Sequence, residues 1–589
     1  MKILLLCHAF NGLTQRLHCA LREVGHAVTV ELDIADAVTE EAVALADPDL
    51  IVAPFLKRRI PESVWSVRPC LVVHPGPPGD RGPAALDWAV LRGDREGGVT
   101  VLQATGDFDA GPVRAWRTFA LRGDASKAAL YRQEVTRAAV EAVLEAVARG
   151  RPCAAPEASP HGWQGPVPKE ARAIDWLHDD SAAVLRKIRS ADGHPGVADA
   201  LFGHACRLHD AHAASADTLA RAPQGEPGAI VAKRGPALLR RTCDGGVWIA
   251  HVRAEPPPGE PALKLAATRA YAAEAASLPE LEVPLMRDAA EWDELHYAET
   301  GTNDDGGQRV GWLAFDFHNG AMSTRQCERL RDALRWARSR DTRVLVLEGG
   351  ADFFSNGIHL HDIEASAHDA GDSAADASWR NINAIDDVVL ELLTLTDRLT
   401  VAMLSGNAGA GGCYLAFAAD IVWAHAGVVL NPHYKNMGNL YGSEYWTYSL
   451  PRRIGEAASR AVMQQRLPLV APLAVQRGLL DACFAVGGHA FVEQARERAL
   501  ALAAAYDLPL RLQDKARRRA EDEARKPLAR YREEELQRMQ RNFYGFDPSY
   551  HVARHHFVYR KPHAWTPRHL APHRDIAPRP VPQPAPHTA

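Results

Sequence analysis

Gly406-Asn407-Ala408-Gly409-Ala410-Gly411-Gly412-Cys413, preceded about fifty residues earlier by Phe354-Ser355-Asn356-Gly357, is the stretch that decides how the C-terminal half is read. Each glycine-bearing turn follows an apolar run, Val401 to Leu404 for the first and Val344 to Leu347 for the second. A short apolar run closed by glycines reads as a buried strand that ends in a tight backbone loop. Two such loops can present two backbone N–H groups to one carbonyl oxygen. One donor of that kind is typically worth about 3 kcal/mol of barrier when negative charge develops on the oxygen.

Around this stretch lie 589 residues, enough for two or three domains with separate cores. The 68 basic and 73 acidic residues nearly cancel, which argues against a nucleic-acid or membrane-surface partner. Nine cysteines are dispersed without a C-x-x-C pair, so neither a zinc ribbon nor a disulfide framework is indicated, no metal is expected, and a reducing cytoplasm fits. The opening Met1-Lys2-Ile3-Leu4-Leu5-Leu6-Cys7 is too short for the apolar core of a signal peptide and reads as a first buried strand. No run of about 18 apolar residues is available to span a bilayer.

Residues 2–7 and 27–31 predict strands flanking a helix over 12–24, and Ile51-Val52-Ala53 and Leu71-Val72-Val73 predict two more strands. That alternation argues for an open parallel α/β sheet. The first turn, His8-Ala9-Phe10-Asn11-Gly12, lacks the G-x-G-x-x-G that seats a dinucleotide pyrophosphate. Proline-rich linkers at 150–168 and 255–261 bracket a stretch with a helix from Ser181 to Ile188 and two strand-like runs in 229–253. Ser323 and Gln326 predict a capping box for a helix through Arg340, with Leu330, Leu334 and Ala337 on its inner face. Residues 511–541 read as a charged, solvated helix, and the final residues form a tail rich in Pro and His, disordered in part. The expected units are 1–165, 166–265, 280–565 and a tail 566–589.

In the first unit, His74 ends a strand and opens the loop His74-Pro75-Gly76-Pro77-Pro78-Gly79-Asp80-Arg81-Gly82-Pro83, and Asp107-Phe108-Asp109-Ala110-Gly111 follows. A histidine at the carboxyl end of a strand sits where open α/β sheets bind ligands. A carboxylate from the later loop can orient its imidazole for proton transfer. The residues alone leave open whether His74 is catalytic or structural. The layout over residues 1 to about 250 resembles the 10-formyltetrahydrofolate-dependent formyltransferases, including their small C-terminal subdomain at Ala171-Arg172-Ala173-Ile174-Asp175-Trp176 and His194-Pro195-Gly196. That family uses an Asn-x-His motif and an Asp-x-Gly. His74 and Asp109 match, but Val72 stands at the asparagine and cannot donate to a formyl oxygen. Phe55-Leu56-Lys57-Arg58-Arg59-Ile60-Pro61 resembles the pterin-side loop, so Lys57 and Asn11 are expected to contact folate.

Residues 285–500 resemble the enoyl-CoA hydratase/isomerase (crotonase) superfamily, through the glycine turns, Asp420-Ile421-Val422, Asn431-Pro432 and Leu450-Pro451-Arg452-Arg453-Ile454-Gly455. The resemblance implies an acyl-CoA thioester as ligand and the amides of Ile358 and Gly411 as the oxyanion hole. Hydratases of that superfamily place two glutamates where this chain has Tyr414 and His433. Water is then left without the carboxylate pair that activates it, and ordinary hydration of an enoyl thioester is not expected. Glu444 and Tyr434, in the downstream segment His433-Tyr434-Lys435-Asn436-Met437-Gly438-Asn439-Leu440-Tyr441-Gly442-Ser443-Glu444, are the candidate replacements. A buried carboxyl at Glu444 can acquire a raised pKa and carry a proton. The residues equally permit Tyr434, Tyr441, Trp446 and Tyr448 to pack the pocket and Glu444 to pair with a lysine or arginine.

The order of the two halves, the loop at 74–83, the segment at 431–446 and Asn542-Phe543-Tyr544-Gly545-Phe546-Asp547 together resemble the HoxX/HypX type of [NiFe]-hydrogenase maturation factor over nearly the whole chain. The fold so implied is α/β. A formyltransferase-like sheet with a small β-rich subdomain precedes a crotonase-like domain with a helical tail. The implied cofactors are 10-formyltetrahydrofolate and coenzyme A, the implied partners other hydrogenase maturation proteins. The expected chemistry is formyl transfer to CoA assisted by His74 and Asp109, then loss of carbon monoxide (CO) from formyl-CoA at Ile358, Gly411, Glu444 and Tyr434. Two other readings stand beside it: a formyltetrahydrofolate hydrolase or amine formyltransferase with a CoA-sensing half, and a scaffold without catalysis.

Overall fold

The computed structural model describes residues 1–154, 161–256, 262–288, 290–301 and 309–575. Parts of both linkers and the tail beyond 575 lie outside the described residues. Three six-stranded sheets carry the described residues, with a two-stranded and a four-stranded sheet beside the third. The first runs in the order β2-β1-β3-β4-β5-β6, from β1 (Lys2–Cys7), β2 (Ala27–Leu32), β3 (Leu50–Phe55), β4 (Cys70–His74), β5 (Glu96–Gln103) and β6 (Val113–Ala120). The first four strands are parallel, and their Ile and Leu residues and all their valines but Val28 and Val72 are buried, as a sheet covered on both faces requires. The sheet is not wholly parallel as the sequence suggested, because β5 and β6 run antiparallel to their neighbours. Strand order reverses at β1, which feeds outward to β2 while β3 pairs on its other side. Loops after β1, β3 and β4 therefore open one crevice at the sheet's carboxyl edge.

A second, antiparallel sheet draws its strands from residues 197–254 and from Lys264–Ala266, with Ile230–Arg234, Ala237–Arg241 and Gly246–Ala254 as three strands where the sequence suggested two runs. The third sheet is parallel through Val310–Phe315, Val344–Gly349, Leu399–Leu404, Ile421–His425 and Ala482–Phe484, with Leu295–Thr300 antiparallel at its edge. The helix Thr324–Arg338 begins with the expected capping box, and Leu330, Leu334 and Ala337 are buried. The charged stretch forms two helices, Leu508–Arg525 and Leu528–Tyr544, because Pro527 cannot donate into a continuous helix. Only the first is a solvated face; the second buries Leu528, Glu535, Met539 and Phe543. Among the described residues no helix is long and apolar enough to cross a membrane.

The start of the expected tail is packed. Residues 566–575 cover the free edge of β2, where the Val30 N–H donates to the Leu570 carbonyl at 2.8 Å and the Leu32 N–H to Thr566 Oγ at 2.9 Å. Leu570 enters the core beneath the first sheet. An exposed strand edge is an open template for another chain, and this strap closes it. Glu31 anchors the strap, accepting from Thr566 Oγ at 2.5 Å and from Arg574 Nε at 2.8 Å, with His573 Nε2 at 2.9 Å. Burial alone would raise the Glu31 pKa, but the hydrogen bonds from His573, Arg574 and Thr566 outweigh it and hold the carboxyl below the usual glutamate value. A depressed folded-state pKa adds stability that is fully present above the unfolded value and is lost as pH falls through the folded one. Glu31→Gln is therefore expected to destabilise the chain by about 2 kcal/mol at neutral pH. The deficit should fade below about pH 4, where the wild-type carboxyl protonates as well. Paired denaturant titrations at neutral and acid pH measure both.

Candidate functional site

In the first crevice, β4 delivers a buried His74 to the sheet's carboxyl edge. Its Nδ1 lies 3.5 Å from Asp109 Oδ2, so the pair expected from the sequence is brought together. A nearer carboxylate was missed: Asp80 Oδ1 stands 3.0 Å from His74 Nε2. Asp80 is itself held by Gln164, whose Nε2 donates to Oδ2 at 2.7 Å from the first linker. The loop closes this tightly because residue 76 is glycine; a Cβ there would lie 2.6 Å from His74 Nε2 and 2.9 Å from Asp80 Oδ1. Asp109 is fixed by the Gly82 N–H at 3.1 Å and takes a positive φ of 50°. Both imidazole nitrogens thus face carboxylates, an arrangement that stabilises an imidazolium formed during proton transfer.

The two residues expected to touch folate lie on the same edge. Asn11 caps helix α1 (Gly12–Glu23), its Oδ1 accepting the Thr14 N–H at 3.0 Å, and its Nδ2 donates to Tyr131 OH at 3.5 Å. Lys57 is exposed in the loop after β3 and faces His8, whose pKa is lowered first by burial and then by this cation. His8 stacks edge-on against Phe55, which in turn meets Tyr131, giving the crevice an aromatic wall.

Helix α1 also carries the crevice onto the third domain. A Cβ at Gly12 would lie 3.7 Å from Asn407 Nδ2, Asn431 Nδ2 donates to Gln15 Oε1 at 3.0 Å, and Cys19 packs with Val429 and Val470. Arg132 spans the same junction to Asp352 and Asn319, both at 2.8 Å. The N-terminal crevice and the glycine turn at 406–412 are thereby placed against one another.

In that turn, the backbones of Gly357 and Gly411 meet; a Cβ on Gly357 would lie 3.3 Å from Gly411 N. Gly411 opens the helix Gly411–Phe417, so its N–H has no acceptor within the helix. Ala410, just before it, holds a positive φ of 47°, backbone strain of the kind stored at functional sites. Ile358, the other expected donor, follows Gly357 in a two-residue strand paired with Ala321–Met322. A methyl group at Gly411 would run into Glu444 Oε1. The Glu444 carboxyl therefore sits directly against the expected oxyanion hole.

Glu444 is fully buried, and among the described residues no lysine or arginine pairs with it. Its Oε2 accepts from Tyr434 OH at 2.5 Å and from the Ser443 N–H at 3.1 Å. Burial, reinforced by the Asp386 carboxylate, pushes its pKa up to about 8. Tyr434 is likewise held well above the usual phenol value, first by burial and then by Glu444. Its ring stacks on Tyr414 at 5.4 Å. Tyr414 OH donates to the Pro432 carbonyl at 2.8 Å, so the residue at the first hydratase position packs the pocket. His433, at the second, is a buried imidazole lowered to about 4 by burial, with His569 and Arg466 adding to the shift.

One cluster outside both sites brings Asp210, His251 and His318 together, with donor atoms within 4.8 Å of one another. The two imidazoles stack at 4.3 Å. His251 Nδ1 lies 2.7 Å and His318 Nδ1 3.3 Å from Asp210 Oδ2, and the group is a hydrogen-bond network at the wall of a 230 Å3 cavity between the three domains.

Comparison with known proteins matches this division. The formyl transferase family matches residues 12–147, its C-terminal domain 166–263, and the enoyl-CoA hydratase/isomerase family 316–566. The hydrogenase maturation factor HoxX of Bradyrhizobium diazoefficiens is 52% identical over 584 residues, covering 98% of this chain and 97% of that protein. This chain belongs to the HoxX/HypX family of hydrogenase maturation factors. A HoxX/HypX member from Aquifex aeolicus, HypX, has been solved in complex with tetrahydrofolic acid. It superposes with a TM-score of 0.89 at 43% identity, covering 98% of this chain and 99% of that one. Methionyl-tRNA formyltransferase of Delftia acidovorans is 27% identical over 36% of this chain and 65% of its own length. Like its HoxX/HypX relatives, the chain joins both halves in one polypeptide, and the expected α/β architecture is the observed one.

Proposed function

We propose that this maturation factor makes CO in two steps. It first transfers a formyl group from 10-formyltetrahydrofolate to the thiol of coenzyme A, then decarbonylates the formyl-CoA so formed. The observation that carries the reading is the Glu444 carboxyl lying against Gly411, beside Gly357, where hydratases of this superfamily would act with glutamates that this chain has replaced. Folate binding at the His74 crevice is supported by the tetrahydrofolic acid bound to the HypX relative.

At the first site His74 takes the thiol proton, sulfur attacks the formyl carbon, and the C–N10 bond breaks as that proton is returned to N10. Asp80 and Asp109 stabilise the transient imidazolium. At the second, the amides of Ile358 and Gly411 polarise the thioester carbonyl, which acidifies the formyl C–H. Tyr434 accepts that proton at its oxygen while passing its own to Glu444 Oε2. Glu444 Oε1–H protonates sulfur as the C–S bond breaks and CO leaves. One proton moves from carbon to sulfur, and neither side chain ends charged. A formyl thioester has no α-carbon, so hydratase glutamates would have nothing to act on.

Protein incubated with CoA and 10-formyltetrahydrofolate, with deoxyhaemoglobin present to trap released gas, should yield CO only when both substrates are supplied. Formate formed without any need for CoA would replace this reading with a hydrolase.

A further inference from the structure

Glu444 and Tyr445 are consecutive non-glycine residues with positive φ, 60° and 56°. Each left-handed residue costs on the order of 1 kcal/mol, so something must hold the pair. Two buried carboxylates do. Asp386, on the helix Ala374–Thr394, accepts the Glu444 N–H at 2.8 Å through Oδ1, and Ser443 Oγ at 2.8 Å and 2.7 Å through Oδ1 and Oδ2. Glu535, on the helix Leu528–Tyr544, accepts the Tyr445 N–H at 2.9 Å, the Thr447 N–H at 2.8 Å and Thr447 Oγ at 2.5 Å. Arg532, one turn before Glu535, places Nε 3.6 Å from Asp386 Oδ2.

We infer that Asp386 is a positioning residue for the Glu444 chemistry. Its carboxylate clamps the turn at 443–444 so that the Glu444 carboxyl meets Gly411, and its negative charge, matched by Arg532, keeps Glu444 in the neutral acid form that the relay uses. This deepens the proposed function and rests on it. Asp386 is the member of the cluster placed to carry the charge: both it and Glu535 receive convergent N–H and O–H donors, but Asp386 also has a guanidinium beside it. A neighbouring anion disfavours ionisation of Glu444. The other titratable groups against Glu444 are Tyr434, Tyr414, Cys327 and Glu535. The phenols and the thiol stay neutral, so Asp386 and Glu535 are the only like-charged neighbours among them. Glu535 itself is raised well above the usual value by burial and then by Asp386. Burial raises Asp386 only to about 6, because Arg532 and the hydrogen bonds from Ser443 and the Glu444 N–H favour its charged form, which leaves Asp386 as the resident anion at neutral pH.

Infrared difference spectroscopy of the resting protein tests this without any turnover. The protonated Glu444 carbonyl band is identified by its loss in Glu444→Gln and titrated between pH 5 and 10 (roughly the range spanned by carboxyl groups raised by burial). Asp386→Asn preserves the acceptor for both clamped groups and removes the charge. It should lower the band's midpoint by about one pH unit or more, and the alkaline limb of CO release should fall with it while KM for formyl-CoA holds. Arg532→Met, at a partly exposed position, removes the counter-charge and should move the pair's titration upward instead. An unmoved or raised midpoint in Asp386→Asn overturns the inference, and if that variant does not fold, an unmoved or lowered titration in Arg532→Met does. A shifted band in a protein that releases no CO would uphold the positioning role and refute the proposed chemistry.

Discussion

Glu444→Gln is expected to lower CO release from formyl-CoA by roughly a hundred- to ten-thousand-fold, the range for removal of a general acid–base group. The substitution is isosteric. The amide keeps an oxygen to accept from Tyr434 OH and from the Ser443 N–H, so pocket shape and thioester binding should survive. What disappears is the acidic proton at Oε1, the atom nearest Gly411. Carboxylic acids both donate and accept at neighbouring oxygens, whereas an amide offers only weakly acidic N–H groups. The pH profile carries a second signature. With the wild-type carboxyl pushed up to about 8, the neutral acid is populated at and below neutral pH and is lost as pH rises through that value. The wild-type rate should therefore fall on the alkaline side, and the residual rate of Glu444→Gln should lack that limb. Stopped-flow trapping of CO with synthetic formyl-CoA measures both. A variant with full activity would return Glu444 to a packing role.

Residues differ in how far the sequence announced them, and the reason is local versus distant geometry. The glycine turns are legible because close approach of two backbones demands glycine at 357 and 411, and because each follows its own apolar strand. Asp80 was hidden in plain view. It lies six residues from His74 in a loop whose Pro and Gly content reads as mere turn chemistry, and Gly76, the residue that lets the loop fold back, carries no side chain to mark the contact. Asp386 and Glu535 come from helices 58 and 91 residues away from Glu444 in sequence, and only tertiary packing joins them. Asp386 did leave a trace, falling with Ile382 and Val389 on the apolar stripe of its helix, where an unpaired acid has no reason to be. Antiparallel β5 and β6 went unassigned, and the parallel sheet inferred from the four strands before them does not specify the direction of further edge strands. The strap at 566–575 has the composition of a disordered tail; its order comes from Glu31, more than 530 residues upstream.

His74→Ala should abolish the first step and spare the second. Formyl transfer from 10-formyltetrahydrofolate to CoA is expected to drop by roughly a hundred- to ten-thousand-fold, while CO release from synthetic formyl-CoA stays at the wild-type rate. The size of the effect follows from what the crevice lacks. Val72 stands on β4 two residues before His74 and offers no hydrogen bond to a formyl oxygen, so the side chains near the reacting carbon contribute mainly through the imidazole and its two carboxylates. A thiol acceptor suits such a site. Its proton is far easier to remove than an amine's, and the thiolate is a strong nucleophile without a second polarising donor. Asp80→Asn is the finer probe. The amide can still meet Nε2 but cannot stabilise the imidazolium, so it should slow transfer without the collapse expected for His74→Ala. Equal loss of both reactions in His74→Ala would mean that the two crevices do not work in series, because a group confined to the first cannot slow the chemistry of a substrate delivered directly to the second.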